Sequence, residues 1–254
     1  NEASTPANLY QFGLAPEDEA IQVAEQAWAD GHRRALVMIP EGPWGERIFT
    51  AFRDHWLALG GELGETRFYT SQSDYNPDIK ALLNVDDSAS RNRLMRQLLR
   101  QSTEFEPRRR QDIDWVFLVA QPQQARQIKP TLAFNFAGDL PVYATSHVYS
   151  GQPDPNHDRD LNGIRFCDLP WVLEGGQLYN QVEKNSDSGQ GPYLRLYALG
   201  VDAYRLLPRL PQAFPDNRLD GETGSIQLDA QRRIHRQSEC AIFRSGRPAL
   251  LSQQ

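Results

Sequence analysis

The sequence predicts an α/β fold built on a parallel sheet, and three observations predict it. Ala35-Leu36-Val37-Met38-Ile39 is a continuous apolar run, a segment at helical spacing follows it, and a further strand begins or continues at Arg67-Phe68-Tyr69. A run without polar alternation is the pattern of a strand covered on both faces. Two such strands joined through a helix take a right-handed parallel crossover.

The unit from Arg34 to Tyr69 is complete in itself. Pro40 ends the first strand, Glu41-Gly42-Pro43-Trp44-Gly45 turns the chain, and a helix is expected from about Glu46 to Leu59. Ile48, Phe49, Phe52, Trp56 and Leu59 share one face of that helix, and Gly60-Gly61 ends it because glycine enters the left-handed region at little steric cost. Before this unit, Asn8 to Leu14 reads as short and extended. Pro16 with Glu17, Asp18 and Glu19 then starts a helix, the acids facing the positive end of its dipole. Ile21, Ala24, Ala27 and Trp28 form its expected buried face, and Gly31 closes it.

After the unit, Ser73 to Asn84 reads as a loop and short helix with Ile79, Leu82 and Leu83 inward, and Asp86 to Ser90 as polar and mobile. Arg91 to Gln101 is a predicted helix that buries Leu94, Met95, Leu98 and Leu99. It exposes Arg91, Arg93, Arg96 and Arg100, which with Arg108, Arg109 and Arg110 form the basic concentration of the chain. This cluster reads as a solvated helix face or as the surface that meets an acidic partner. Ile113 to Val119 is the third strand. A helix from about Gln123 carries Ala125, Ile128, Leu132 and Phe136, with Pro130 bending it. Pro141 to Thr145 and Gly163 to Cys167 are the fourth and fifth strands, so strands and helices alternate as an open parallel sheet requires. The tail differs: Pro192 to Leu210 is an apolar helix with Leu194, Tyr197, Ala198, Val201 and Tyr204 on its densest side. Asp220 to Gly224 is a turn, and Ile226 to Leu228 with Cys240 to Phe243 read as the arms of a closing hairpin.

Composition narrows the function classes. At 254 residues the chain can bury a sizeable core as one domain or two lobes. Its net charge of −6 does not advertise nucleic-acid binding, and no run approaches the roughly 20 apolar residues that cross a membrane. The start, Asn1 to Asn8, lacks methionine and reads as a linker, so a longer protein is expected. Two cysteines are too few for a structural zinc site but permit one disulfide. Gly42-Pro43-Trp44-Gly45 sits where a phosphate-binding turn belongs, yet lacks the Lys-Ser/Thr of a P-loop and the three-glycine dinucleotide spacing. An ordinary strand-to-helix turn is the better reading. His32, His55, His147, His157 and His235 never fall at a zinc-binding helical spacing, and Ser146-His147 lacks the glycines of a nucleophile elbow. No catalytic, cofactor-binding or metal-ligating residue is assigned. Asp202, an acid inside an apolar helix, needs buried donors or a cation.

Several stretches together resemble a known family. Tyr10 to Leu14 followed by Pro16 to Ala20, Ala27 to Arg33, Gly42 to Gly45, Gln127 to Pro130, Leu196 to Ala203 and Leu219 to Gly224 are similar to the LpoA-type outer-membrane lipoproteins that activate penicillin-binding proteins. The resemblance covers most of the chain and is weakest between Asp74 and Arg110. It implies the C-terminal domain of that family, a fold like type I periplasmic binding proteins with two lobes joined by three crossing segments. Residues 1–14 would be linker and first crossing, 15–165 with 220–254 the main lobe, and 166–219 the second crossing and a remnant of the second lobe. The strands that build most of that second lobe in the family should precede Asn1, so the helix after Pro192 is expected to lack part of its packing surface.

The function implied is a non-enzymatic periplasmic regulator that binds a bifunctional class A penicillin-binding protein and stimulates peptidoglycan synthesis. It would bind no nucleic acid and would reach the inner face of the outer membrane only through a lipid anchor upstream of this chain. The alternative is a small-molecule-binding sensor that uses the cleft of the same fold. The resemblance also returns Cys240 to the edge of the sheet that holds Cys167. The two are expected to be neighbours, as a disulfide or as two buried thiols.

Overall fold

The computed structural model describes residues 9–71, 74–99, 108–185, 193–212 and 218–251. Three strands and two helices come first: β1 (Gln11–Phe12), α1 (Pro16–Ala29), β2 (Arg34–Pro40), α2 (Pro43–Ala58) and β3 (Glu62–Tyr69). Then come α3 (Asn76–Leu83), α4 (Val85–Leu99), β4 (Trp115–Leu118), α5 (Pro122–Leu132), β5 (Val142–Ala144) and β6 (Ile164–Asp168). The rest comprises α6 (Pro170–Leu173), α7 (Gln177–Asn185), α8 (Leu194–Leu206), β7 (Leu219–Gly221), β8 (Gly224–Leu228), β9 (Arg233–Gln237), β10 (Glu239–Arg244) and β11 (Arg247–Leu250).

The large sheet has the order β11-β10-β6-β5-β4-β2-β3. Strands β2 to β6 are parallel, and β10 and β11 add an antiparallel margin. The alternation of side chains along each strand divides the core into two layers. Leu36, Met38, Val116, Leu118, Val142 and Ala144 face α3 and α5, where Ile79, Leu82, Leu83, Ala125, Ile128 and Leu132 meet them. Ala35, Val37, Ile39, Trp115 and Phe117 face α1 and α2, where Ala20, Val23, Ala24, Ala27, Ile48, Phe52 and Trp56 complete the layer. Phe52 stacks on Phe117 with ring centroids 4.1 Å apart. The turn into α2 is tight: a Cβ on Gly45 would collide with the Pro40 carbonyl oxygen, so only glycine lets the helix start this close to the strand.

A second sheet has the order β1-β9-β8-β7, with β1 parallel to β9 and the other pairs antiparallel. Leu206 of α8 with Ile226, Leu228 and Ile234 forms its small core. Here the expected closing hairpin is corrected. Ile226 to Leu228 pairs with Ile234 to Arg236, and Cys240 to Phe243 belongs to the large sheet. The physical cause is a turn at Asp229 to Arg232, where the Asp229 carboxylate accepts from the Arg233 amide and Arg232 takes a positive φ of 61°. Strands β7, β8 and β9 therefore all lie in the small sheet.

Five further expectations are revised or extended. β3 begins at Glu62, five residues before the apolar signal, because an edge strand tolerates the polar stretch Glu62 to Arg67. Asp86 to Ser90 is helical, forming the first turns of α4, with Asp86 and Asp87 at the positive end of its dipole. Leu94, Met95 and Leu98 are exposed, since α4 packs on α3 through its first turns and has no sheet beneath it. Phe136 is exposed as well. The helical geometry fails at Asn135 and Phe136, the latter at φ 64°, and Arg109 Nε holds the Phe136 carbonyl at 3.0 Å. In α8 the buried side is Leu194, Ala198, Asp202 and Leu206, while Tyr197 and Tyr204 face outward.

Candidate functional site

In open α/β sheets ligands and partners meet the carboxyl ends of the parallel strands. That edge is formed by the segments after β2, β4, β5 and β6. Trp44 after β2 and His147 after β5 meet edge to face, ring centroids 4.9 Å apart. Burial lowers the His147 pKa, with the nearby Glu19 opposing it, so the ring is neutral at pH 7.

Beneath this edge the ionic groups pair with one another. Asp168, buried at the end of β6, receives Arg195 Nε at 2.9 Å and Nη2 at 2.6 Å. Burial pushes the Asp168 carboxyl above the usual carboxylate range, against the pull of Arg195. Arg195 Nη2 also donates to the Ser146 and Tyr149 carbonyls, so one guanidinium fastens α8 to the loop after β5 and to the end of β6. Glu19 of α1 accepts from Arg236 Nη2 at 3.0 Å and from the Ser146 amide at 3.0 Å.

Further contacts tie the segments that run between the two sheets. Arg236 Nη1 donates to the Gly13 carbonyl, joining β9 to the segment after β1. Gln22 exchanges both amide hydrogen bonds with the backbone of Ser238. His235 lies between Asp18 and Asp229 at 3.1 and 3.0 Å, and its hydrogen bond to Asp18, together with Asp229, lifts its pKa to about 9. Cys167 and Cys240 sit directly opposite in the β6–β10 register and are joined as a disulfide, Cα atoms 4.0 Å apart. Asp202 finds its donors in the turn after β7: the Glu222 and Thr223 amides and the Thr223 hydroxyl, at 2.7 to 2.9 Å. Its role is structural, closing that turn onto α8.

Two hollows flank the brace. A polar one of about 970 Å³ is lined by Gln22, Asp30, Arg165, Asp220, Glu239 and Cys240, among others. An apolar one of about 720 Å³ lies along α8, between Leu178, Tyr193, Leu196, Tyr197, Val201 and Tyr204. Among the described residues no group of three or more His, Cys, Asp or Glu could hold a metal, and no helix is long and apolar enough to cross a membrane. Arg91, Arg93 and Arg96 are all exposed on α4, distant in the fold from the brace, and Arg100 lies outside the described residues. Sequence reasoning missed the pairs of Glu19 with Arg236 and of Asp168 with Arg195. The available signal was an acid directly after the apolar strand Ile164 to Cys167.

Comparison with known proteins places this geometry. The family described as "LppC putative lipoprotein" matches residues 1–246. A curated relative from Aliivibrio fischeri, named penicillin-binding protein activator LpoA, is 31% identical over 251 residues, which is 95% of this chain and 41% of that protein. The chain thus spans about two fifths of the length of such relatives. The LpoA C-domain of Haemophilus influenzae, described as a regulator of PBP1A, superimposes with a TM-score of 0.75 at 25% identity, covering 99% of this chain and 71% of that one. A putative branched-chain amino acid ABC transporter protein from Chromobacterium violaceum gives 0.68 at 28%, covering 95% and 70%. The fold is therefore of the periplasmic-binding-protein type, shared with the LpoA C-domain. By the match along residues 1–246, the chain belongs to the LppC lipoprotein family.

Proposed function

We propose that this domain is a non-enzymatic periplasmic regulator that binds a bifunctional class A penicillin-binding protein and stimulates peptidoglycan synthesis. The observation that carries this reading is the similarity, over 95% of the chain, to a protein named as a penicillin-binding protein activator. The site geometry agrees with it. The charged groups under the carboxyl edge of the sheet pair with one another, Asp168 with Arg195 and Glu19 with Arg236, which suits a docking scaffold. In the whole protein a lipid upstream of residue 1 would tether the domain to the inner face of the outer membrane.

The second reading, a small-molecule sensor, is favoured by one observation: the shared fold with a protein described as an amino acid ABC transporter. A synthesis assay separates the two. Added to a purified class A synthase and its lipid-linked substrate, this domain is expected to raise the rate of glycan polymerisation or cross-linking. An unchanged rate, with micromolar binding of an amino acid by calorimetry, would transfer the assignment to the sensor.

A further inference from the structure

We propose that α4 is the docking element of this domain, its exposed apolar stripe seating in an apolar groove of the class A synthase that is rimmed by acidic side chains. The inference deepens the activator reading and rests on it. Its starting point is that α4 gives the buried core Val85, at its first residue, while its later apolar side chains stay exposed. The two faces of the large sheet are covered by α1 and α2 and by α3 and α5. α4 lies outside them as a third layer on α3, anchored at its start by buried Val85 and by Ser88, whose hydroxyl accepts the Arg108 amide.

Beyond that anchor the helix carries large apolar side chains that are exposed. Leu94, Met95 and Leu98 are 57, 50 and 70% exposed. Leu94 and Leu98 are one turn apart and share a face with Met95, the spacing by which an amphipathic helix lays its apolar side into a groove. The apolar hollow along α8 is a separate feature, lined by residues of α7 and α8 and by Tyr193.

Charge selects the partner chemistry. The chain carries a net −6, but Arg91, Arg93 and Arg96 are exposed on the same helix as the stripe, Arg93 also donating to the Ser90 hydroxyl. A cationic helix on an anionic molecule is complementary to an acidic surface, and such charges act mainly on the rate of encounter. The stripe, once desolvated, governs how long the complex lasts.

The test immobilises a solubilised class A synthase and measures association and dissociation of this chain and two variants. Leu94→Gln with Leu98→Gln is expected to raise the dissociation rate by about tenfold, as for loss of interface anchors. Arg91→Glu with Arg93→Glu and Arg96→Glu is expected to slow association by about tenfold at low salt, the difference shrinking as salt screens the charges. Both variants should keep the unfolding midpoint of the parent, since the altered side chains are exposed. Binding by the parent with unchanged kinetics in both variants would overturn the role of α4 and leave the activator reading standing. Absence of binding by the parent would overturn both. Variants that lose only self-association, or only binding to phosphatidylglycerol vesicles, would assign α4 to a second copy or to a membrane and equally overturn the proposal.

Discussion

Replacing Arg195 by methionine is expected to destabilise the protein by about 3–5 kcal/mol, the usual cost of removing one partner from a buried ion pair. Asp168 would lose the cation that favours its charged form, leaving a carboxyl that is either an unpaired buried charge or neutralised at a cost, and the Ser146 and Tyr149 carbonyls would each lose a donor. Because Arg195 fastens α8 to β6, the loss should also loosen α8 before the sheet melts. Urea denaturation followed by tryptophan fluorescence reads the first effect, and hydrogen exchange reads the second. The double variant Arg195→Met with Asp168→Asn should recover a substantial part of the loss, since no buried charge is then left unpaired. A single variant within about 1 kcal/mol of the parent, the range of exposed pairs, would show that the pair is not buried as described.

Removing the disulfide is expected to have an effect of similar size. Cys167 and Cys240 close a loop with a sequence separation of 73, which in the chain-entropy model stabilises by about 4 kcal/mol. The bond also ties β6 to β10, strands that are neighbours in the sheet but far apart in sequence. Cys167→Ala with Cys240→Ala should therefore lower the urea midpoint markedly, and a reductant should do the same to the parent while leaving the variant unchanged. Thiol labelling of the unfolded, unreduced parent should find no free thiol. Two free thiols per chain would contradict the bond.

The central parallel strands are legible in the sequence because burial on both faces leaves an apolar run with no alternation, as in Ala35 to Ile39 and in Val116 to Leu118. The helices of the two layers are legible for the same reason, their inward positions recurring at helical spacing. What escapes is whatever depends on partners distant in sequence. β3 is polar because it lies at an edge. β8 and β9 find β1 only in the folded chain, so Ile226 to Leu228 reads as the partner of the wrong strand. α4 has a periodic apolar face, which implies burial, but periodicity says nothing about which surface does the burying. At the candidate site, Asp202 announces itself as an acid in an apolar helix and finds three donors. Glu19 and Arg236 give no such sign, because Glu19 sits in an acidic first turn where exposure is the ordinary expectation.

The account centres on direct docking of this domain to a class A synthase, and an equilibrium binding measurement between the two purified proteins tests it most directly. Sedimentation velocity of fluorescently labelled domain with increasing unlabelled synthase should show a saturable, faster-sedimenting species. That binding should survive addition of free amino acids, sugars and peptides at millimolar concentration. A domain that sediments alone at every synthase concentration, or that changes its behaviour only when a small solute is added, would contradict it.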